Sequence, residues 1–112
     1  MSLEIIRSDS FTKEFKRLAK RYRGLVEDYE NFLVSLEANP LQGTEIAPNI
    51  RKIRMAITAK GRGKSGGARV ITCNALVSEQ EGKIYLLLIY DKADASNIKM
   101  NAVKEIVKEL GL

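Results

Sequence analysis

Residues 68–90 read ARVITCNALVSEQEGKIYLLLIY, and this stretch decides the fold. Two apolar runs, 68–77 and 84–90, flank the polar turn signal SEQEGK. That pattern predicts two antiparallel strands joined as a hairpin. The second run is apolar at successive positions, which suits a central strand covered on both faces. Upstream, NIRKIRMAI (49–57) switches to an alternating period: Ile53, Met55 and Ile57 share one face, Lys52 and Arg54 the other. Further out, Phe11, Phe15, Leu18, Ala19 and Tyr22, then Leu25, Tyr29, Phe32, Leu33 and Leu36, recur at helical spacing. Ser8, Asp9 and Ser10 offer N-caps to the first helix, and Asn39-Pro40 closes the second. LEIIR (3–7) predicts a short N-terminal strand, residues 41–49 a loop, and Ile98, Ala102, Val103, Ile106, Val107 and Leu110 a C-terminal helix over 95–110. The expected order is β-α-α-β-β-β-α: an α+β domain with a largely antiparallel sheet and helices on one face.

The 112 residues allow one domain, 1–112. No apolar run approaches the roughly 20 residues that span a bilayer, so no membrane partner is expected. MSLEIIRSDS lacks a basic segment before an apolar core, so no secretory signal is expected either. Cys73 is the only cysteine and lies in an apolar strand. A buried, inert thiol in a reducing, cytoplasmic setting fits that placement.

Charge is distributed unevenly. Between Glu45 and Glu79 there is no acid, yet Arg51, Lys52, Arg54, Lys60, Arg62, Lys64 and Arg69 fall there. A block of one sign across the centre of a fold points to an anionic ligand. The connection AKGRGKSGG (59–67) contains the letters GKS, but a phosphate-binding P-loop would need glycine at 58, and that residue is Thr58. Strand-like residues follow instead of a helix, so no helix N-terminus faces a phosphate there. The chain has no histidine, which excludes a two-histidine ribonuclease mechanism. The basic interval holds no carboxylate for a two-metal nuclease site, and one cysteine without histidine offers no zinc set.

KIR (52–54), GKSGGARVIT (63–72) and IYLLLIYDK (84–92) together resemble the RelE/ParE toxin superfamily, in particular its HigB-like and RelE-like branch. The resemblance spans nearly the whole chain and includes the element order. It implies the toxin of a type II toxin–antitoxin system: a metal-independent, cofactor-free endoribonuclease that cuts mRNA on the ribosome and is held inactive by a cognate antitoxin protein. Lys52, Arg54 and Arg69 match the basic positions of that family, Lys64 a basic loop position of the HigB-like branch, and Lys92 a basic residue after the last strand. The sequence departs where RelE proper has a tyrosine in its last helix; Asn97 and Ile98 are the nearest residues here, with Tyr90 as a strand-borne substitute.

RNA carries its own nucleophile. Attack of the 2′-OH on the adjacent phosphorus needs alignment, a base for the proton and stabilisation of phosphate charge. Arg69 and Arg54 suit the phosphate, because guanidinium groups match it in geometry and stay charged. Lys64, Lys92 and Tyr90 are all open as the base, and complete the candidate catalytic set. Lys52, Arg54, Lys60, Arg62 and Lys64 form the candidate RNA-binding set. The competing structural reading ties Arg69 to Glu105 or Glu109 and leaves the lysines as solvated loop charges. A ParE-type gyrase inhibitor without RNA chemistry is the alternative function.

Overall fold

The computed structural model describes residues 3–61, 63–78, 81–95 and 98–112. The chain runs β1 (Leu3–Arg7), α1 (Asp9–Arg21), α2 (Leu25–Ala38), β2 (Thr44–Ala47), β3 (Ile50–Met55), two 3₁₀ turns (Thr58–Lys60 and Lys64–Gly66), β4 (Ala68–Ser78), β5 (Glu81–Asp91) and α3 (Met100–Glu109). The sheet order is β1-β5-β4-β3-β2. β1 runs parallel to β5, and the other pairings are antiparallel.

The 68–90 stretch forms the predicted hairpin, and β5 lies inside the sheet between β1 and β4. Opposite residues run Ile71 to Leu88 and then Thr72 to Leu86, so Leu87 is an extra residue at a bulge. The bulge shifts the phase of the strand. Ile84, Leu86 and Ile89 pack with Phe11, Leu18, Phe32 and Leu36 of α1 and α2, whereas Leu87 and Tyr90 pack with Val103 and Ile106 of α3. Helices therefore cover both faces of the sheet, not one. The physical demand was already in IYLLLIY, since a strand apolar on both sides needs cover on both.

Ser8 joins β1 to α1. Its Oγ accepts from the Phe11 N–H at 2.9 Å and donates to the Leu87 carbonyl at 2.7 Å, while its own N–H donates to Leu86 O at 3.0 Å. One residue thus caps the helix and pins it to the central strand. The second difference from expectation is β2, inside the segment 41–49 read as loop. Its four residues are too few for a periodicity signal, and it exists by pairing with β3. The two-residue turn Pro48-Asn49, with Asn49 at φ 65°, is the local signal for that hairpin.

Gly67 fixes where the long β3–β4 connection lies. A Cβ at this position would sit 2.2 Å from Met55 O and 2.9 Å from Ile57 N, so the backbone approach requires glycine. Gly67→Ala is expected to cost about 1–3 kcal/mol, as overpacking does. Urea unfolding checks this, and an unchanged midpoint would refute the close approach.

Candidate functional site

Cross-strand register puts Arg54 of β3 opposite Arg69 of β4, and Arg69 opposite Tyr90 of β5. Lys52 stands opposite Ile71, whose side chain belongs to the α3-side core, so this row lies on the α3 face. Like charges directly opposite on a sheet are destabilising. The fold accommodates Arg69 by nearly burying it against carbonyl oxygens. Its guanidinium donates to Lys64 O at 3.2 Å, Ser65 O at 3.0 Å and Ala68 O at 3.1 Å. Arg69 thereby ties the 64–66 turn to the start of β4. Lys92 ties it a second time, through its Nζ to Ser65 O at 3.2 Å and its N–H to Gly67 O at 3.1 Å.

These ties shape an open concavity of about 640 Å³ lined by Lys52, Arg54, Lys64, Arg69 and Lys92. Residues 42–44 form its far wall. Gly43, at φ 85°, lies so close to β3 that a Cβ would be 2.5 Å from Lys52 O. Arg51 holds the same loop by donating to Leu41 O at 2.7 Å.

The two sides of the sheet treat their cations differently. Towards α1, the carboxylate of Asp91 is fully buried and accepts from Lys60 Nζ, the Tyr22 hydroxyl, the Ala93 N–H at 2.9 Å and Arg21 at 3.5 Å. Lys60 also donates to Gly66 O at 2.9 Å and lies 5.6 Å from the Tyr22 ring centroid. Arg21 and Arg17 share Asp94, and Arg17 pairs with Glu14. In the concavity, among the described residues, no carboxylate reaches any of the five cations, and Lys52, Arg54 and Lys64 have no hydrogen-bonding partner for their charged ends. Five positive charges without a paired carboxylate make this hollow strongly electropositive.

The structure thus brings together Lys52, Arg54, Lys64, Arg69 and Lys92. It does not bring Lys60 with them: that lysine belongs to the buried pair with Asp91, on the α1 side. Tyr90 keeps its place in the cross-strand row, but its hydroxyl is buried without a hydrogen-bond partner, beneath the concavity and not on its wall. Burial pushes its phenol up, against the opposing influence of Arg69. Arg62 lies outside the described residues, as does Asn97. Arg69 makes its bonds to carbonyls, not to Glu105 or Glu109. Cys73 is half-buried, and burial pushes its thiol up, as expected of an inert cysteine. Sequence reasoning missed the 42–44 wall and the role of Asp91. A carboxylate at a strand end between Tyr90 and Lys92 was the available signal.

No known protein-family profile matches the sequence. Among solved structures, the Escherichia coli toxin RelE, a double arginine-to-alanine variant in the free state, superposes with a TM-score of 0.58. The match covers 97% of this chain and 98% of that one, at 16% identity. The chain has the RelE fold. Its N-terminal strand, helical hairpin, sheet and C-terminal helix are the RelE architecture, and the cationic concavity is built on the sheet of that fold. Among the described residues no helix is long and apolar enough to cross a membrane.

Asp91 supplies a test of the ion-pair floor beneath the site. Burial pushes its carboxyl up, but hydrogen bonds from Lys60, Tyr22 and Ala93 outweigh this and hold it below the usual carboxylate range. Its stabilisation is therefore complete above the unfolded value of about 3.9 and is lost as pH falls through the lower folded value. Asp91→Asn should cost about 3–5 kcal/mol at neutral pH by stranding Lys60. It should also flatten the acid limb of a melting-temperature profile recorded from about pH 2 to 7, because the carboxylate whose protonation weakens the fold is gone. An acid limb identical to that of the parent would refute the assignment.

Proposed function

We propose that this protein is the toxin of a type II toxin–antitoxin system and acts as a ribosome-dependent endoribonuclease on mRNA. The observation that carries the reading is the concavity in which Lys52, Arg54, Lys64, Arg69 and Lys92 converge without a carboxylate. The RelE fold at this level of identity supports the architecture; the chemistry rests on the site. The nucleophile belongs to the substrate itself. The 2′-oxygen attacks the adjacent phosphorus as its proton passes to a base, the P–O5′ bond breaks, and the departing 5′-oxygen takes a proton from water, giving a 2′,3′-cyclic phosphate and a 5′-OH.

Arg54 is the principal clamp for the phosphate, because its guanidinium is exposed and unengaged among the described residues. Arg69 contributes charge from below while holding the 64–66 turn. Lys64, at the start of that turn, is the base best placed for the proton, since the Nζ of Lys92 is already committed to Ser65 O and the Tyr90 hydroxyl is buried. Lys52 extends the positive surface along β3 towards a neighbouring phosphate. Alignment of message on the ribosome in the cytoplasm supplies the remaining organisation. The partner that silences the toxin is an antitoxin whose acidic segment covers the concavity, because charge complementarity speeds encounter and sets register.

Arg54→Ala should reduce message cleavage in a translating extract by about 10²–10³-fold, the scale of losing one transition-state charge donor, and Lys64→Ala by about 10²–10⁴-fold, the scale of losing a general base, each with melting temperature unchanged. Arg69→Ala should lower stability as well as activity, because three carbonyl bonds go with it. Intact message with correctly folded protein, or inhibition of gyrase supercoiling in place of cleavage, would overturn the reading. Lys52→Ala should weaken RNA binding and reduce the slope of log affinity against log salt by about 0.7, the value for one phosphate contact on a single strand.

A further inference from the structure

β2 begins at Thr44, opposite Lys52, so β3 has no outer neighbour beyond that point. Round this free edge the concavity continues past Arg54 and Lys64 into a second cleft of about 230 Å³, walled by Asp28, Asn31, Phe32 and Ser35 of α2. A third hollow of about 320 Å³ shares Asp28, Asn31 and Thr58 with the second. Asn31 stands where the two meet.

The chemistry changes along this groove. The first compartment has five cations and no acid. The second keeps Arg54 and Lys64 but adds Asp28, whose carboxylate accepts from the Thr58 N–H at 3.0 Å and from the Thr58 hydroxyl. With one acid set against two cations, the second cleft attracts phosphate less strongly than the first, while an uncharged heterocycle loses nothing by entering it. At about 230 Å³ the cleft is about a third of the volume of the first compartment, room enough for a planar ring system.

α2 presents polar groups here at helical spacing. Asp28, Asn31 and Ser35 follow one another along one face. Two of them are already committed, Asp28 to Thr58 and the Ser35 hydroxyl to Phe32 O at 2.8 Å. The exposed Asn31 carboxamide has no partner among the described residues, so a donor and an acceptor remain free side by side. That pair is complementary to the edge of a nucleobase, and single-stranded RNA is read through such edges when its bases are splayed.

We propose that the cleft between α2 and the free edge of β3 seats the base of a nucleotide adjoining the scissile phosphate, with Asn31 reading its edge. The inference rests on the ribonuclease reading and adds a specificity residue to it. Phosphates favour the more cationic first compartment, and the base turns past Arg54 into the less positive second one.

Mapping cut sites in a translating extract tests this. With the parent protein, one base should be favoured at a position beside the cut. Asn31→Ala should level that preference by about tenfold, the scale of one paired edge contact, by slowing cuts beside the favoured base, while cuts beside the other bases and the melting temperature hold. Asn31→Asp, which loses the donor, should alter which base is favoured. An unchanged preference in both variants would overturn the subsite and leave the ribonuclease reading standing. If the parent cuts no message, that reading falls separately. Binding of the four homopolymeric RNA pentamers, measured by fluorescence anisotropy, then decides the subsite: base-dependent affinity that Asn31→Ala levels supports it, and equal affinities overturn it.

Discussion

Beneath the sheet edge, the buried carboxylate of Asp91 meets Lys60, and the geometry of the concavity depends on that ion pair. Lys60 reaches from the first 3₁₀ turn to Asp91 at the end of β5 and to the carbonyl of Gly66 in the second turn. Tyr22 and Arg21 bring the end of α1 to the same carboxylate. Three segments distant in the chain are thereby locked at one point. Two of them, the 58–67 connection and the strand end at 91–92, carry Lys64 and Lys92 to the opposite face. A buried ion pair of this kind is a weak source of net stability compared with apolar packing, but removing one partner is costly. Its value here is geometric, because it sets where the loops sit.

The same arrangement separates charges by side. Towards α1, arginine and lysine are matched by Asp91, Asp94 and Glu14. Towards α3, Arg54 and Arg69 stand opposite each other across two strands, and among the described residues neither is paired with an acid. A fold selected for stability alone would not place two guanidinium groups in register. The structure tolerates the repulsion by giving Arg69 the carbonyls of its own turn and leaving Arg54 in solvent. The uncompensated charge is what an anionic ligand would relieve, and it explains why an acid-free stretch of sequence runs through this part of the fold.

Much of this was legible beforehand. The strand at 3–7, the helical hairpin, the three main strands and the C-terminal helix follow from apolar spacing, and Ser8 was visible as a cap. The faces of β3 were also correct: Ile53, Met55 and Ile57 are buried, with Lys52 and Arg54 on the other side. β2 was not legible, because four residues gain strand structure only from a partner. The placement of α3 on the second face was implied by the apolar run of β5 but not specified by it. Of the candidate site, the convergence of Lys52, Arg54, Lys64, Arg69 and Lys92 was anticipated in kind, while the fates of Lys60 and Tyr90 were not.

Local pattern explains the division. Apolar periodicity, caps and charge composition are properties of neighbouring residues, so the sequence by itself determined the elements other than β2, the α+β class and the presence of a positively charged hairpin. Which cations stay free depends on partners far along the chain. Lys60 meets a carboxylate 31 residues away, and Asn31 lines the cleft beside Arg54 only because α2 lies next to β3. Only the tertiary structure decided those matters, because ion pairing and burial act through space and at short range.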